Sequence, residues 1–372
     1  MTIALVFNAK TEAPTTSVIT PEQAAEPPSG ASPAVPSTHT QRTNDLFVEW
    51  DTYDTINAVR DALAERYTVE LIEADEDAFE RLRNLRPSFV FNIAEGLYGV
   101  SREAQIPAML ELLRIPYLGS DPLTLAVCLD KARAKEILAH YGVATAPFVV
   151  IHTMEEFDDA RVRFPSIVKP LHEGSSKGIY NSCVVRTPAE LEREVRTVLT
   201  TYQEPALVEE FLPGREFTVA LLGNGDAVRV LPIVEIRFDA LPAGMNPIYS
   251  YEAKWVWDRS DKPLEIFACP APLAPADADV IAALCVKAYR VLRCRDWTRV
   301  DVRMDARGRP HILELNPLPG ILPRPEDNSC FPKAARAAGM SYHQLINGVL
   351  DIAMQRCGVP IRTSALATQA PQ

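Results

Sequence analysis

Histidine is scarce. The six residues His39, His140, His152, His172, His311 and His343 never take the spacing that metal ligands need, which argues against a zinc centre. The seven cysteines, Cys128, Cys183, Cys269, Cys285, Cys294, Cys330 and Cys357, are odd in number, scattered and free of any CxxC pair. That pattern favours reduced thiols in a cytosolic compartment over a disulfide framework. There is no GxSxG elbow or nucleophilic cysteine motif, and neither GxxxxGK[ST] nor GxGxxG occurs. No stretch approaches the roughly 20 apolar residues of a membrane helix. The opening Met1–Lys10 has a short apolar run from Ile3 to Phe7, but lacks a basic n-region and a small-residue cleavage site. It reads as a first strand, not a signal peptide. Positive charge is also in deficit: a formal net charge of −11 argues against coating nucleic acid or an anionic membrane. Any anionic ligand must be held by a local cluster of Lys, Arg and backbone N–H groups.

What is present is ordinary for a globular chain of 372 residues, 47% hydrophobic and 23% charged, and that length suggests two or three domains. Residues 11–45 are rich in Pro, Ala, Ser and Thr and read as a disordered insertion. Beyond it, helices and strands alternate: helix Tyr53–Arg66, strand Val69–Ile72, helix Asp75–Leu85, strand Phe89–Asn92, helix Glu103–Arg114 and a short strand at Tyr117–Leu118. This alternation predicts an α/β layer with a largely parallel sheet. The next stretch predicts helix Asp130–Tyr141, strand Phe148–Ile151, helix Met154–Arg163, strand Ser166–Lys169, helix Pro188–Leu199 and strand Ala206–Phe211. Strands Phe217–Leu222 and Val228–Ile236, helix Pro275–Val291 and helix Tyr342–Gln355 follow. Residues 360–372 read as an unstructured tail.

The most informative stretch is Asp296–Gly320. Two strands, Trp297–Met304 and His311–Asn316, flank the turn Asp305–Gly308. Alternation puts Arg299 beside Asp301 on one face and Glu314 beside Asn316 on the partner. Two carboxylates and an amide suit a hard cation such as Mg²⁺, and burying those charges without a metal or anionic ligand would be costly. Elsewhere, Lys169 ends an apolar strand just before Glu173-Gly174-Ser175-Ser176-Lys177-Gly178. Such small residues let backbone N–H groups approach phosphate oxygens. Lys131 taken alone is a surface lysine. Glu209-Glu210 reads as an acidic pair on an edge strand, ordinarily solvated.

The order of these pieces resembles the ATP-grasp superfamily and, within it, the D-alanine–D-alanine ligase family. The matching segments are Asp130-Lys131, Val168-Lys169-Pro170 with the Glu173–Gly178 loop, Glu209 to Val219, Tyr251-Glu252-Ala253-Lys254, Arg299-Val300-Asp301, Leu313 to Pro317, Pro319-Gly320 and Ala334 to Ser341. The resemblance implies a three-domain ATP-grasp fold, α/β overall and α+β in the ATP-binding part. The domains would be an N-terminal unit at 1–119, a central unit at 120–209 and a catalytic unit at 210–359, with nucleotide between the last two. It further implies that Lys131 and Lys169 contact ATP phosphates under the loop carrying Glu173, Gly174, Ser175, Ser176 and Gly178. Glu209, Glu210, Phe211 and Leu212 would border the adenine, with Glu216 on the ribose and Lys254 near the γ-phosphate. Asp301, Glu314 and Asn316 would bind two Mg²⁺ ions, for which Mn²⁺ could substitute. Arg299 and the Gly320 N–H would form the oxyanion site. The implied reaction activates a small-molecule carboxylate as an acylphosphate and passes it to an amine, in a homodimer built through the N-terminal unit.

The departures fall on the substrate side. Asn92-Ile93-Ala94-Glu95-Gly96 stands where the ligases carry His-Gly, where Glu95, followed by Arg102-Glu103, would rebuild the pocket around another substrate, and Trp255 stands where an aromatic hydroxyl is expected. Glu49 is the candidate for the acid that holds the first substrate's ammonium, and Ser329-Cys330 occupies the second-substrate segment with altered side chains. D-alanine, another amino acid and a specialised metabolite all remain open. Two other readings share the motifs. One is an ATP-grasp enzyme with a different acceptor, against which the order through Gly320 and Ser329 speaks. The other is an inactive ATP-binding regulatory protein, against which joint retention of Lys169, Lys254, Arg299, Asp301, Glu314 and Asn316 speaks.

Overall fold

The computed structural model describes residues 1–10, 45, 49–258 and 264–362. The expected disordered insertion therefore lies outside the described residues apart from Asp45, as does the tail from 363 onwards. Strand β1 (Thr2–Phe7) is apolar from Ile3 to Phe7 and pairs in parallel with β2 (Thr68–Glu73) and β3 (Phe89–Asn92), in the order β2-β1-β3. Helix α1 (Tyr53–Ala64) turns Ile56, Val59, Ala62 and Leu63, all fully buried, toward this sheet. The 3.6-residue spacing of those four side chains is what makes the helix amphipathic. Helices α2 (Ala78–Leu85) and α3 (Gln105–Leu113) cover the opposite side through Leu82, Ile106 and Leu110.

Two helices then meet end to end. Helix α4 (Pro122–Leu129) opens with Pro at its first turn, and Asp121 accepts the Thr124 N–H. Asp130 is extended, with ψ 94°, and its carboxylate accepts the Arg133 N–H to start α5 (Lys131–His140). That break carries Lys131 to the first turn of α5, where its side chain is buried rather than surface-exposed.

Strands β4 (Phe148–Ile151), β5 (Ser166–Pro170), β6 (Val184–Val185) and β7 (Ala206–Glu210) form an antiparallel sheet in the order β4-β7-β5-β6, with α6 (Pro188–Thr197) on its apolar face. The helix expected over Met154–Arg163 is instead two short 3₁₀ turns, Met154–Glu156 and Asp159–Arg161. Side chains there satisfy the backbone locally: Glu156 accepts the His152 N–H at 3.0 Å and Asp158 the Ala160 N–H at 3.1 Å. Such bonds compete with the helical ladder. Strand β7 lies inside the sheet, so the expectation of an edge position for Glu209 is wrong.

The third sheet combines β8 (Glu216–Leu222), β9 (Arg229–Val230), β10 (Val234–Ile236), β11 (Phe267–Ala268), β12 (Trp297–Met304) and β13 (Pro310–Asn316). Its order is β11-β10-β8-β12-β13, with β9 also on β8. The single strand expected over Val228–Ile236 is broken between β9 and β10, where Pro232 cannot donate to a ladder. One face packs Phe217, Val219, Leu221, Val300, Val302, Ile312 and Leu315 against α7 (Pro275–Val291). The alternate residues of β8, β12 and β13 look the other way, into a cleft. Helices α8 (Cys330–Ala337) and α9 (Tyr342–Cys357) close the chain, and α9 docks on α1 with Arg66 paired to Asp351 at 2.7 Å. No helix among the described residues is long and apolar enough to cross a membrane.

Candidate active site

The hairpin of β12 and β13 sets the chemistry by register. Asp301 stands opposite Glu314 and Arg299 opposite Asn316, so alternation brings all four side chains to one face. A bulge between Asp301 and Val302 leaves Leu313 as the extra residue. Ile312 and Leu315 can then both be buried behind the sheet, while Leu313 turns into the cleft. Arg299 lies 2.9 Å from Asp301 and 3.7 Å from Glu314, and Asn316 is 3.3 Å from both carboxylates. Burial opposes the Arg299 charge, but the two carboxylates more than restore it. Burial raises Asp301. Glu314 is pushed the other way despite burial, because Lys131, Arg299 and Lys169 hold its carboxyl well below the usual range.

Across the cleft, Lys169 at the end of β5 sits 2.6 Å from Glu209 on β7, and Lys135 of α5 reaches the same carboxylate at 2.5 Å. Burial would raise Glu209, yet these two lysines outweigh it and bring its pKa to about 2. Lys131 donates to the Glu173 carbonyl and lies 3.8 Å from Glu314. Lys254 projects from the wide turn Glu252–Trp257; burial, reinforced by Arg299, lowers its pKa to about 8.

The Glu173–Gly178 loop is folded down over this space. Ser175 and Ser176 take left-handed φ values of 50° and 62°. The Ser175 carbonyl accepts the Trp255 indole N–H at 3.0 Å, and the Ser176 hydroxyl donates to the Tyr249 carbonyl at 2.8 Å. Glu49 accepts the Gly174 N–H at 2.7 Å and pairs with Arg102 at 2.8 Å; Arg102 in turn reaches Glu173 at 3.0 Å. A Cβ on Gly174 would lie 2.6 Å from the Glu49 carboxylate, so a side chain here would have to push that carboxylate aside.

Two cavities share the cleft. The larger, about 1490 Å³, is bordered by Lys169, the Glu173–Ser176 segment, Glu209 to Leu212, Glu216, Lys254, Trp255, Arg299, Asp301, Glu314, Gly320, Ser329 and Cys330. The smaller, about 860 Å³, holds Glu95 and Lys131 with Asn316, and also meets Gly174, Ser175, Lys254, Arg299, Glu314 and Gly320. Gly178 borders neither; it packs against Pro170 and donates its N–H to Asp45 at 3.2 Å. Burial, Glu103 and Glu49 raise the Glu95 carboxyl well above its usual value, and Glu103 rises to about 8. Burial pushes the Cys330 thiol up to about 12, and the Ser329 hydroxyl bonds the Gly320 carbonyl at 3.0 Å.

Two residues, Arg303 and Lys135, escape sequence reasoning. Arg303 pairs with Glu216 at 2.5 Å, donates to the Leu212 carbonyl at 2.6 Å and stacks on Phe211 at 4.7 Å, so it props the segment after β7 that borders the larger cavity. Its signal was present in the alternation after Arg299 and Asp301. Lys135 is signalled by its place four residues after Lys131 on one helix. Arg102, expected beside Glu103 in a rebuilt substrate pocket, pairs with Glu49 and Glu173, partners far away in sequence.

A cleft between two antiparallel sheets, lined by lysines on one wall and by paired carboxylates with an arginine on the other, defines a nucleotide-using ligase of the ATP-grasp class. Residues 137–351 match the family described as D-ala D-ala ligase C-terminus. A Sinorhizobium fredii protein described as uncharacterised is 38% identical over 294 residues, covering 77% of this chain and 83% of its own. The D-alanine–D-alanine ligase of Bordetella petrii is 36% identical over 277 residues, covering 74% and 78%. The fold is shared with a D-alanine–D-alanine ligase from Bacillus anthracis solved with ATP, at TM-score 0.63 and 21% identity over 96% of this chain and 98% of that one. The chain belongs to the D-alanine–D-alanine ligase family. It is an ATP-dependent, ADP-forming ligase that makes an amide bond.

Proposed function

We propose that this enzyme joins two small amino-acid-like substrates, phosphorylating the carboxylate of the first and transferring the acyl group to the amine of the second. The observation that carries this reading is the shared face of Arg299, Asp301, Glu314 and Asn316, set opposite Lys131, Lys169 and Lys254. A carboxylate is a poor electrophile, and phosphorylation gives it a leaving group. Lys131, Lys169 and Lys254 would neutralise and orient the phosphates, and the Glu173–Gly178 loop would exclude water. Glu209 to Leu212 would border the adenine, and Glu216 the ribose.

Asp301, Glu314 and Asn316 form a hard-oxygen donor set that fits Mg²⁺, or Mn²⁺ in its place, because such ions keep positions open for phosphate oxygens. When bound, the two ions would supply charge neutralisation and in-line alignment of the transferring phosphoryl group. Arg299 and the Gly320 N–H would stabilise the oxyanion as the amine adds. The first substrate would enter the smaller cavity with its ammonium toward Glu95 and Glu103, whose carboxylates have no hydrogen bond or ion pair to another described residue, rather than toward Glu49, which is taken up by Arg102 and the Gly174 N–H. Ser329 and Cys330 would border the second substrate, near Trp255. D-alanine, another amino acid and a specialised metabolite are the candidate substrates. Seven free thiols support a cytoplasmic location, and the family resemblance supports a homodimer through the N-terminal sheet.

The test is ADP release with ATP and Mg²⁺ across paired panels of D- and L-amino acids, with mass spectrometry of the product. A pair-dependent release yielding a dipeptide supports the reading; release indifferent to any added amine and carboxylate sinks it.

A further inference from the structure

A lysine that borders neither cavity is the least expected charge in this molecule. Lys135 is 1% exposed, and burying an ammonium is costly unless its partners repay the lost hydration. Its partners are Glu209 at 2.5 Å and the Thr145 hydroxyl at 2.7 Å. Thr145 donates onward to the Ile312 carbonyl at 3.0 Å, two residues before Glu314. Glu209 is also buried and holds Lys169 at 2.6 Å on its other oxygen. Only Lys169 and Glu209 reach the larger cavity.

The charge balance of this trio gives Lys135 a purpose. A lone Glu209–Lys169 pair would be neutral, and the carboxylate would cancel the lysine's attraction for phosphate at the point where it is needed. With Lys135 behind the carboxylate, two cations share one anion, and a net charge of +1 remains with Lys169 as its exposed member. We infer that Lys135 is a positioning residue that neutralises Glu209 from behind and so leaves the charge of Lys169 available to the nucleotide. The inference rests on Lys169 facing the phosphates, as proposed above. Lys135 itself touches no substrate.

The test is a charge cycle read by calorimetric binding of a β,γ-imido ATP analogue to the full chain. Lys135→Met removes one positive charge and should weaken binding on the order of tenfold, within the range of coupling seen in one ion-pair network. Adding Glu209→Gln to Lys135→Met removes the excess negative charge and should recover most of that affinity, which a purely packing role for Lys135 would not allow. An undiminished affinity in Lys135→Met, or no recovery on adding Glu209→Gln, would overturn the inference. Lys169→Met binding like wild type would instead refute the placement of Lys169 on the phosphates. Lys135→Gln, which removes the charge but keeps a hydrogen-bond donor on a side chain one bond shorter, takes the place of Lys135→Met in the cycle if the methionine variant does not fold.

Discussion

The indole N–H of Trp255 is bonded to the carbonyl of Ser175 at 3.0 Å, tying the wide turn Glu252–Trp257 to the loop that covers the cleft. The ring also lies under two ammonium groups, Lys10 at 4.6 Å and Lys254 at 5.1 Å. Trp255→Phe keeps the aromatic face and deletes the donor. A net hydrogen bond is worth about 0.5–1.5 kcal/mol, so KM for ATP should rise by up to about tenfold with kcat less affected. Trp255→Ala should raise it further, since the cation–π contacts go too. Steady-state kinetics decide this; equal KM in wild type and Trp255→Phe would remove the indole bond from any role in holding the loop.

Arg299→Ala should lower kcat by about 10²–10³ while changing nucleotide affinity far less, the pattern of a group needed in the transition state. The measurement pairs turnover with direct binding of an ATP analogue. Parallel losses in both would make Arg299 a ground-state contact.

Asp301→Asn and Glu314→Gln keep shape and remove one negative charge each from the face opposite the lysines. Each should abolish Mg²⁺-dependent ADP release. A Mg²⁺ titration of each variant checks this, and full activity at wild-type Mg²⁺ would refute the metal assignment.

His172 is 3.7 Å from Asp130 and 3.4 Å from Glu204. Burial disfavours its charge, yet the two carboxylates prevail and raise its pKa to about 9. Because the folded value lies above the unfolded one of about 6.5, the stabilisation is complete below pH 6.5. It is lost as pH rises through 9. Tm should therefore fall between about pH 7 and pH 9.5, and His172→Gln should flatten that slope. An unchanged slope in the variant would mean that His172 is not the titrating group.

The hairpin was legible in the sequence because a β-strand has a fixed period of two. Val300 and Val302 had to oppose Arg299, Asp301 and Arg303 whatever the rest of the chain did. The bulge at Leu313 was not legible, since three apolar residues among four give no sign of which one turns outward. The helix expected at Met154–Arg163 failed for a related reason: Glu156 and Asp158 could bond either a helix or their own neighbours, and only packing beneath the sheet decided between them.

Glu209 shows the limit from the other side. In the chain it is one of two adjacent acids, indistinguishable from a solvated pair. In the fold it is a buried anion between Lys135 and Lys169, 74 residues after one and 40 after the other.

By itself the sequence determined the order of the nucleotide-binding segments, the hairpin that carries Arg299, Asp301, Glu314 and Asn316, and the family to which the chain belongs. These follow from local periodicity and from motifs a few residues long. Only the tertiary structure decided that Glu49 and Arg102 clasp the covering loop, that Arg303 props the Phe211–Leu212 segment and that Lys135 stands behind Glu209. Each of those is a pairing of charges across distant segments, and the cost of burying a charge is settled by what surrounds it in space, which sequence spacing does not record.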